Sequence, residues 1–206
     1  MMRRTILLVA TTALTLLVAS GVALAVTKIG TDGPDTLRGI NGADHLIGKG
    51  GNDTLIALRG KDNLLGGEGK DALWGGTLRD SSVGDKNLVG GPGNDLVLGG
   101  KSSDNLLAGA GNDFMVDGEY RKPVKDNLSS GSGNDVLNVI NVAPAGKDIV
   151  SCGSGFDRVL ADRKDVLAPD CEKVRVVHGS LDEIDEQEQS WFESIPQSFF
   201  EGLPRI

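Results

Sequence analysis

From residue 37 onward, large apolar residues return at every ninth position in runs: Leu37, Leu46, Leu55, Leu64 and Leu73, then Leu88, Val97, Leu106 and Met115. Leu128, Leu137, Val150 and Val159 continue the series with two longer steps. A single apolar residue between two variable neighbours fits a very short strand with one side chain turned inward. The six residues separating these triplets are rich in Gly, Asp, Asn and Ser, which are turn formers. Nine residues therefore supply one turn and one strand, and two such units close a coil of about 18 residues whose strands stack at ~4.8 Å. The pattern predicts an all-β chain, a parallel β-roll of about six to seven coils over residues 26–160.

The turns share a consensus, G-G-x-G-x-D-x-U-x with U the large apolar residue. It is cleanest as GKGGNDTLI at 48, GGEGKDALW at 66, GGPGNDLVL at 90, AGAGNDFMV at 108 and SGSGNDVLN at 130. In this motif the chain resembles the RTX, or hemolysin-type, calcium-binding nonapeptide repeat, over about residues 30–160. The resemblance implies a β-roll that binds Ca2+ between turns, and folding triggered by calcium after export. Family members leave through a machine that reads a C-terminal signal, whereas this chain carries an N-terminal one.

Physical chemistry favours the same cofactor. Stacking the coils stacks the aspartates, and two unit charges ~4.8 Å apart repel by roughly 1 kcal/mol in water and about 3.5 kcal/mol at an effective dielectric of 20. Calcium takes oxygen ligands from carboxylates and carbonyls, which is what two facing turns present. Folding is therefore expected to be coupled to calcium.

Taken in order, the turns alternate between two edges. The odd turns keep six residues each and place Asp35, Asp53, Asp71, Asp95, Asp113, Asp135 and Asp157 in one row, the stronger calcium row. The even turns place Asp44, Asp62, Asp104, Asp126 and Asp148 in a weaker row, in which Lys86 takes one aspartate slot. All three lengthened turns, GGTLRDSSVGDK, DGEYRKPVKD and VINVAPAGKD, fall on that even edge, with Lys61, Lys125 and Lys147 directly before an aspartate. Insertions gathered on one face of a solenoid mark either a binding face or an edge that tolerates them.

Outside the strand centre, positions seven and nine of each repeat should face solvent. Position seven (Thr36, His45, Thr54, Asn63, Ala72, Asn87, Leu96 and Asn105) is mixed, unlike the uniform row that ice binding would want. Position nine is largely apolar, as at Ile47, Leu65, Trp74, Val89 and Leu98, and wants a cover. Residues 179–206 form an acidic tail in which Ser180 to Glu183 fits a capping box and Leu181, Ile184, Trp191 and Ile195 recur at helical spacing. This short helix packs on the roll or stays a mobile tail, and a homodimer through the stripe is the third reading.

The chain ends and composition narrow the function classes. Residues 1–25 read as a signal peptide: a basic head at Arg3 and Arg4, an apolar run from Ile6 to Ala19 and an Ala23-Leu24-Ala25 cleavage site. Removing them leaves 19 of the 21 basic residues against 29 acidic ones, a net charge of −10 that points away from nucleic acid. No second apolar segment follows, so no membrane partner is expected of the mature form. Thirty glycines and eight aromatics raise the question of disorder, which the nine-residue regularity answers. In an exported chain the two cysteines, Cys152 and Cys171, are expected to pair, tying residues 161–178 into a C-terminal cap.

Catalytic signatures are missing. The chain has no H-E-x-x-H helix and no G-x-S-x-G elbow, and Gly100-Lys101-Ser102 lacks the opening glycine of a phosphate loop because Asp95 stands there. His45 occupies an outward slot and reads as a surface residue. The expectation is a secreted, non-enzymatic calcium-binding structural or binding module. The alternatives are a calcium-dependent adhesin with a protein or glycan partner on the lengthened even turns and, on family analogy alone, an extracellular degradative enzyme.

Overall fold

The computed structural model describes residues 24–76, 86–118, 124–141 and 146–177. Nearly all of the signal segment, the inner parts of the lengthened turns and the expected C-terminal helix lie outside the described residues.

The chain winds alternately through two parallel sheets of eight strands each. One holds β1 (Thr27–Ile29), β3 (His45–Gly50), β5 (Asn63–Glu68), β7 (Asn87–Pro92), β9 (Asn105–Ala110), β11 (Asn127–Ser132), β13 (Ile149–Ser154) and β15 (Val166–Leu167). The other holds β2 (Thr36–Arg38), β4 (Thr54–Ile56), β6 (Ala72–Trp74), β8 (Leu96–Leu98), β10 (Phe114–Val116), β12 (Val136–Val139), β14 (Arg158–Ala161) and β16 (Lys173–Val176). This is the β-roll the nine-residue period predicts, and no helix occurs among the described residues.

Register follows the apolar positions. In the first sheet Leu46, Leu64, Leu88, Leu106, Leu128, Val150 and Leu167 pair in sequence. In the second, Leu37, Leu55, Leu73, Val97, Met115, Leu137 and Val159 do the same. These two ladders face each other and form the core, most of it fully buried. The lengthened turns alter the separation of paired residues without breaking register, because the extra residues are confined to one edge.

Position seven behaves differently from expectation. In β3, β5, β7, β9 and β11 it is exposed, as His45, Asn63, Asn87, Asn105 and Asn127. In β6, β8, β10 and β12 it is buried, as Ala72, Leu96, Phe114 and Val136, which join Leu160 and Val177 in a second apolar cluster against Trp74, Leu98, Val116 and Ile140. The physical reason is that the middle strands of the second sheet bury position seven as well as position eight, so they read as continuous apolar runs, ALW, LVL and FMV, rather than alternating. The exposed row carries an asparagine ladder, with Asn105 donating to Asn87 at 3.2 Å.

Stacking also dictates the fourth residue of the turn. Gly111 has φ of 140°, and a Cβ there would collide with the carbonyl of Gly93 in the preceding coil. Only glycine meets both demands.

Past the last repeat both sheets continue through β15 and β16. Cys152 of β13 is joined to Cys171 with their Cα atoms 5.1 Å apart. Asp170 beside it accepts from the backbone of Cys152 (3.2 Å) and Gly153 (3.0 Å) and from the Ser151 hydroxyl (3.1 Å). Those bonds hold the Asp170 carboxyl below its ordinary range.

Candidate metal sites

Each turn aspartate closes its turn just before a strand, so the sheet register stacks the aspartates as it stacks the leucines. On the first edge the two carboxylate oxygens then have different fates. One, Oδ1, accepts the backbone N–H of the aspartate one coil earlier: Asp35 donates to Asp53 (2.8 Å), Asp53 to Asp71 (2.8 Å), Asp71 to Asp95 (2.8 Å) and Asp95 to Asp113 (2.7 Å). Asp113 donates to Asp135 (2.8 Å) and Asp135 to Asp157 (2.9 Å), and Glu172 takes the last place by accepting from Asp157 (2.9 Å).

The other oxygen, Oδ2, accepts no hydrogen bond at Asp53, Asp71, Asp95, Asp113, Asp135 and Asp157, and is buried in every case. It points toward the first residue of its own turn, where the corresponding carbonyl of the next coil also arrives. A Cβ built on Gly30 would lie 2.6 Å from both Asp35 Oδ2 and Gly48 O, and the same convergence recurs at Gly48, Gly66 and Gly90. Asp35, in the terminal coil, is the exception in its hydrogen bonding, since Oδ2 accepts from the Thr31 amide (2.5 Å) and hydroxyl (2.9 Å).

An anionic oxygen buried without a donor is costly. Accordingly burial, with neighbouring aspartates adding to it, pushes the Asp95 carboxyl from 3.8 up to about 8 and Asp113 to about 7. Burial raises Asp71 to about 6, and raises Asp53, Asp135 and Asp157 as well. Asp35 moves the other way, lowered by its bonds to Thr31. A hard cation placed between Oδ2 and the converging carbonyls would supply the missing positive partner, so the donor set fits calcium.

The second edge repeats the ladder with interruptions. Asp44 donates to Asp62 (2.9 Å), Lys86 to Asp104 (3.0 Å), Asp104 to Asp126 (2.6 Å) and Asp126 to Asp148 (2.8 Å). Asp148 donates in turn to Asp165 (3.1 Å). Asp62 Oδ2 accepts no hydrogen bond, and its carboxyl is raised to about 6, chiefly by burial. At Asp104 and Asp126 the Oδ2 atom likewise accepts none, while both residues keep other contacts. Asp44 Oδ2 accepts from the Ile40 amide (2.7 Å) and Asp148 Oδ2 from Asn141 (2.6 Å).

Lys86 is 1 % exposed, and its Cδ would lie 3.0 Å from a Cβ on Gly75, the spot its neighbours give to a carboxylate. Its ammonium charge offsets part of the rise that burial imposes on Asp62. It is a tethered cation standing in a row of anions.

Two participants escape the spacing argument. Asp165 and Glu172 extend the rows beyond the last repeat, raising no period because the intervals to them differ. The residue before the aspartate forms a further ladder, in which Asn94 accepts from Asn112 (2.8 Å), Asn112 from Asn134 (2.7 Å) and Asn134 from Phe156 (2.8 Å). The recurring Asn-Asp pair was its only signal. His45 is exposed, as its outward slot implies.

The family model of the RTX calcium-binding nonapeptide repeat (4 copies) matches residues 29–64, 47–81 and 84–115. No curated protein matches the chain.

Proposed function

We propose, from the match of residues 29–81 and 84–115 to the RTX calcium-binding nonapeptide repeat, that both edges of the roll hold Ca2+ and that the ions drive folding of a secreted, non-enzymatic structural module. The observation that carries this reading is the buried Oδ2 without a hydrogen-bond donor, repeated along the first edge from Asp53 to Asp157 and met at Asp53, Asp71 and Asp95 by a carbonyl of a neighbouring coil. On this reading the first edge is the fuller row, with Asp53, Asp71, Asp95, Asp113, Asp135 and Asp157 as ligands and Asp35 at its open end. The second is patchier, with Asp44, Asp62, Asp104, Asp126 and Asp148, since Lys86 replaces one ligand.

Secretion is supported by residues 1–25 and by the Cys152–Cys171 bridge, which an oxidising compartment favours. Equilibrium dialysis against calcium tests the metal reading: several ions bound per chain are expected, and none bound overturns it.

A second reading assigns a partner to the second edge. Its motivation is that the turns 75–86, 117–126 and 139–148 are all lengthened on that side while the first edge keeps six-residue turns throughout. Shortening the three turns to the consensus length should abolish adhesion to a protein or glycan surface and leave first-edge calcium uptake intact; unchanged adhesion removes this role.

A further inference from the structure

Position seven points away from the core in both sheets, because it flanks the inward apolar residue of its strand. In the first sheet the slot is exposed at Asn63, Asn87, Asn105 and Asn127, so the stacking of coils does not by itself bury it. In the second sheet the equivalent Ala72, Leu96, Phe114 and Val136 are no more than 6 % exposed. They belong to an apolar cluster separate from the core between the sheets. Each described member of that cluster comes from a strand of the second sheet or from a residue directly after one, Ile140 or Val177. Burial on this outer face therefore calls for a further layer. Trp74, at position nine of β6, reports the same cover, since its indole Nε1 is shut off from solvent yet donates no hydrogen bond.

The covered area is bounded along the sheet. Thr36 of β2 is exposed and Thr54 of β4 half-buried in the same slot, whereas the cluster runs from β6 to Val177, the residue that follows β16. Because β16 is the edge strand of this sheet, the chain leaves it at one end of the covered face, and Val177 is already buried in the cluster. Residues 178–206 follow directly. Their first part is acidic, with Asp182, Glu183, Asp185, Glu186 and Glu188, and the nearby end of the face carries Arg158, Lys173 and Arg175 on β14 and β16. Opposite charges thus meet where the segment starts.

We propose that residues 178–206 turn back over the outer face of the second sheet and lay Leu181, Ile184, Trp191 and Ile195 on its apolar cluster, from β16 toward β6. The lengths agree: a helix from Leu181 to Ile195 would run about 22 Å at ~1.5 Å per residue. From β16 to β6 the sheet order crosses five strand spacings, about 24 Å at ~4.8 Å each. The cover then ends short of β4 and β2, where position seven is a threonine. A backbone carbonyl or carboxylate of the segment would accept from Trp74 Nε1. Attachment at Val177 favours this segment over a second copy of the chain, because a tethered partner acts at a high effective concentration. The proposal stands apart from the metal reading, since none of the row aspartates belongs to the cluster.

The test uses the full chain with Trp191→Phe, which leaves Trp74 as the only tryptophan. Adding Ile184→Asp and Ile195→Asp together should shift the Trp74 emission to the red and raise its quenching by acrylamide severalfold, with an unchanged β-sheet circular dichroism spectrum. Unchanged shielding of Trp74 in the folded variant overturns the proposal. Shielding that is lost on dilution, in step with the dissociation of a dimer in sedimentation, also overturns it, because a second copy is then the cover. If the variant fails to fold, photo-reactive benzoylphenylalanine in place of Trp191 in the otherwise unchanged chain decides. Crosslinks within one chain to the strands β6 to β12 of the second sheet are expected; crosslinks to the first sheet, between chains, or none overturn the proposal.

Discussion

Asp95 is the residue on which the opposing forces are most evident. Its Oδ1 is used by the Asp71 amide, its Oδ2 has no donor, and its carboxyl is pushed up to about 8. Asp95→Asn keeps the first bond and gives the second position an N–H that can meet the Ala108 carbonyl. In chelator the substitution should stabilise the roll, because it replaces a carboxyl that burial makes costly to ionise with a neutral amide. In saturating calcium it should destabilise, because a ligand is lost. Refolding by an osmolyte in chelator, where the variant should need less of it than the parent, and denaturant melts in saturating calcium check this reversal of sign. Lys86 offers the complementary case: Lys86→Asp completes the second-edge row and should add one bound calcium, counted by dialysis. At this scale the aspartates were legible from spacing alone. The division of labour between their two oxygens was not, because it depends on a partner 18 to 24 residues away that only the stacked coils bring near.

At the scale of the element, each aspartate row behaves as one titrating unit. Without metal, the carboxyls of Asp71, Asp113 and Asp95 at about 6, 7 and 8 hold protons that the unfolded chain, near 3.8, has released. Their protonated forms therefore favour folding below pH ~4, and that contribution is lost as pH rises through about 6 to 8. In chelator the β-sheet circular dichroism signal should strengthen on acidification from about pH 8 to 5. With calcium the ion favours the ionised carboxylates, so the same acidification should weaken calcium binding and the signal with it.

The terminal coil supplies another element-scale prediction. Removing the disulfide with Cys152→Ser and Cys171→Ser frees a 19-residue separation worth about 3 kcal/mol in the chain-entropy picture. Hydrogen exchange should accelerate in β13 to β16 and stay unchanged in β5 to β9. The strands themselves were readable because each presents one large apolar residue at a fixed interval. The difference between the sheets was hidden by that same nine-residue period, which superimposes Asn63 on Ala72 and Asn87 on Leu96. An 18-residue comparison separates them: Ala72, Leu96, Phe114 and Val136 then align as one buried row.

At the scale of the whole molecule, the described coils form a quasi-one-dimensional stack, since each touches chiefly the coils above and below it. Its apolar ladders favour stacking, while its acidic edges oppose it until a cation intervenes. On the calcium reading proposed above, the rows Asp53 to Asp157 and Asp44 to Asp148 would link ion binding to the formation of both sheets at once. One titration of the chelated full chain with calcium, followed together by heat release and by β-sheet circular dichroism, measures that link. The account predicts that the β signal is lost in chelator and returns in step with the binding heat. A full β signal in chelator, unaltered by added calcium, would contradict it.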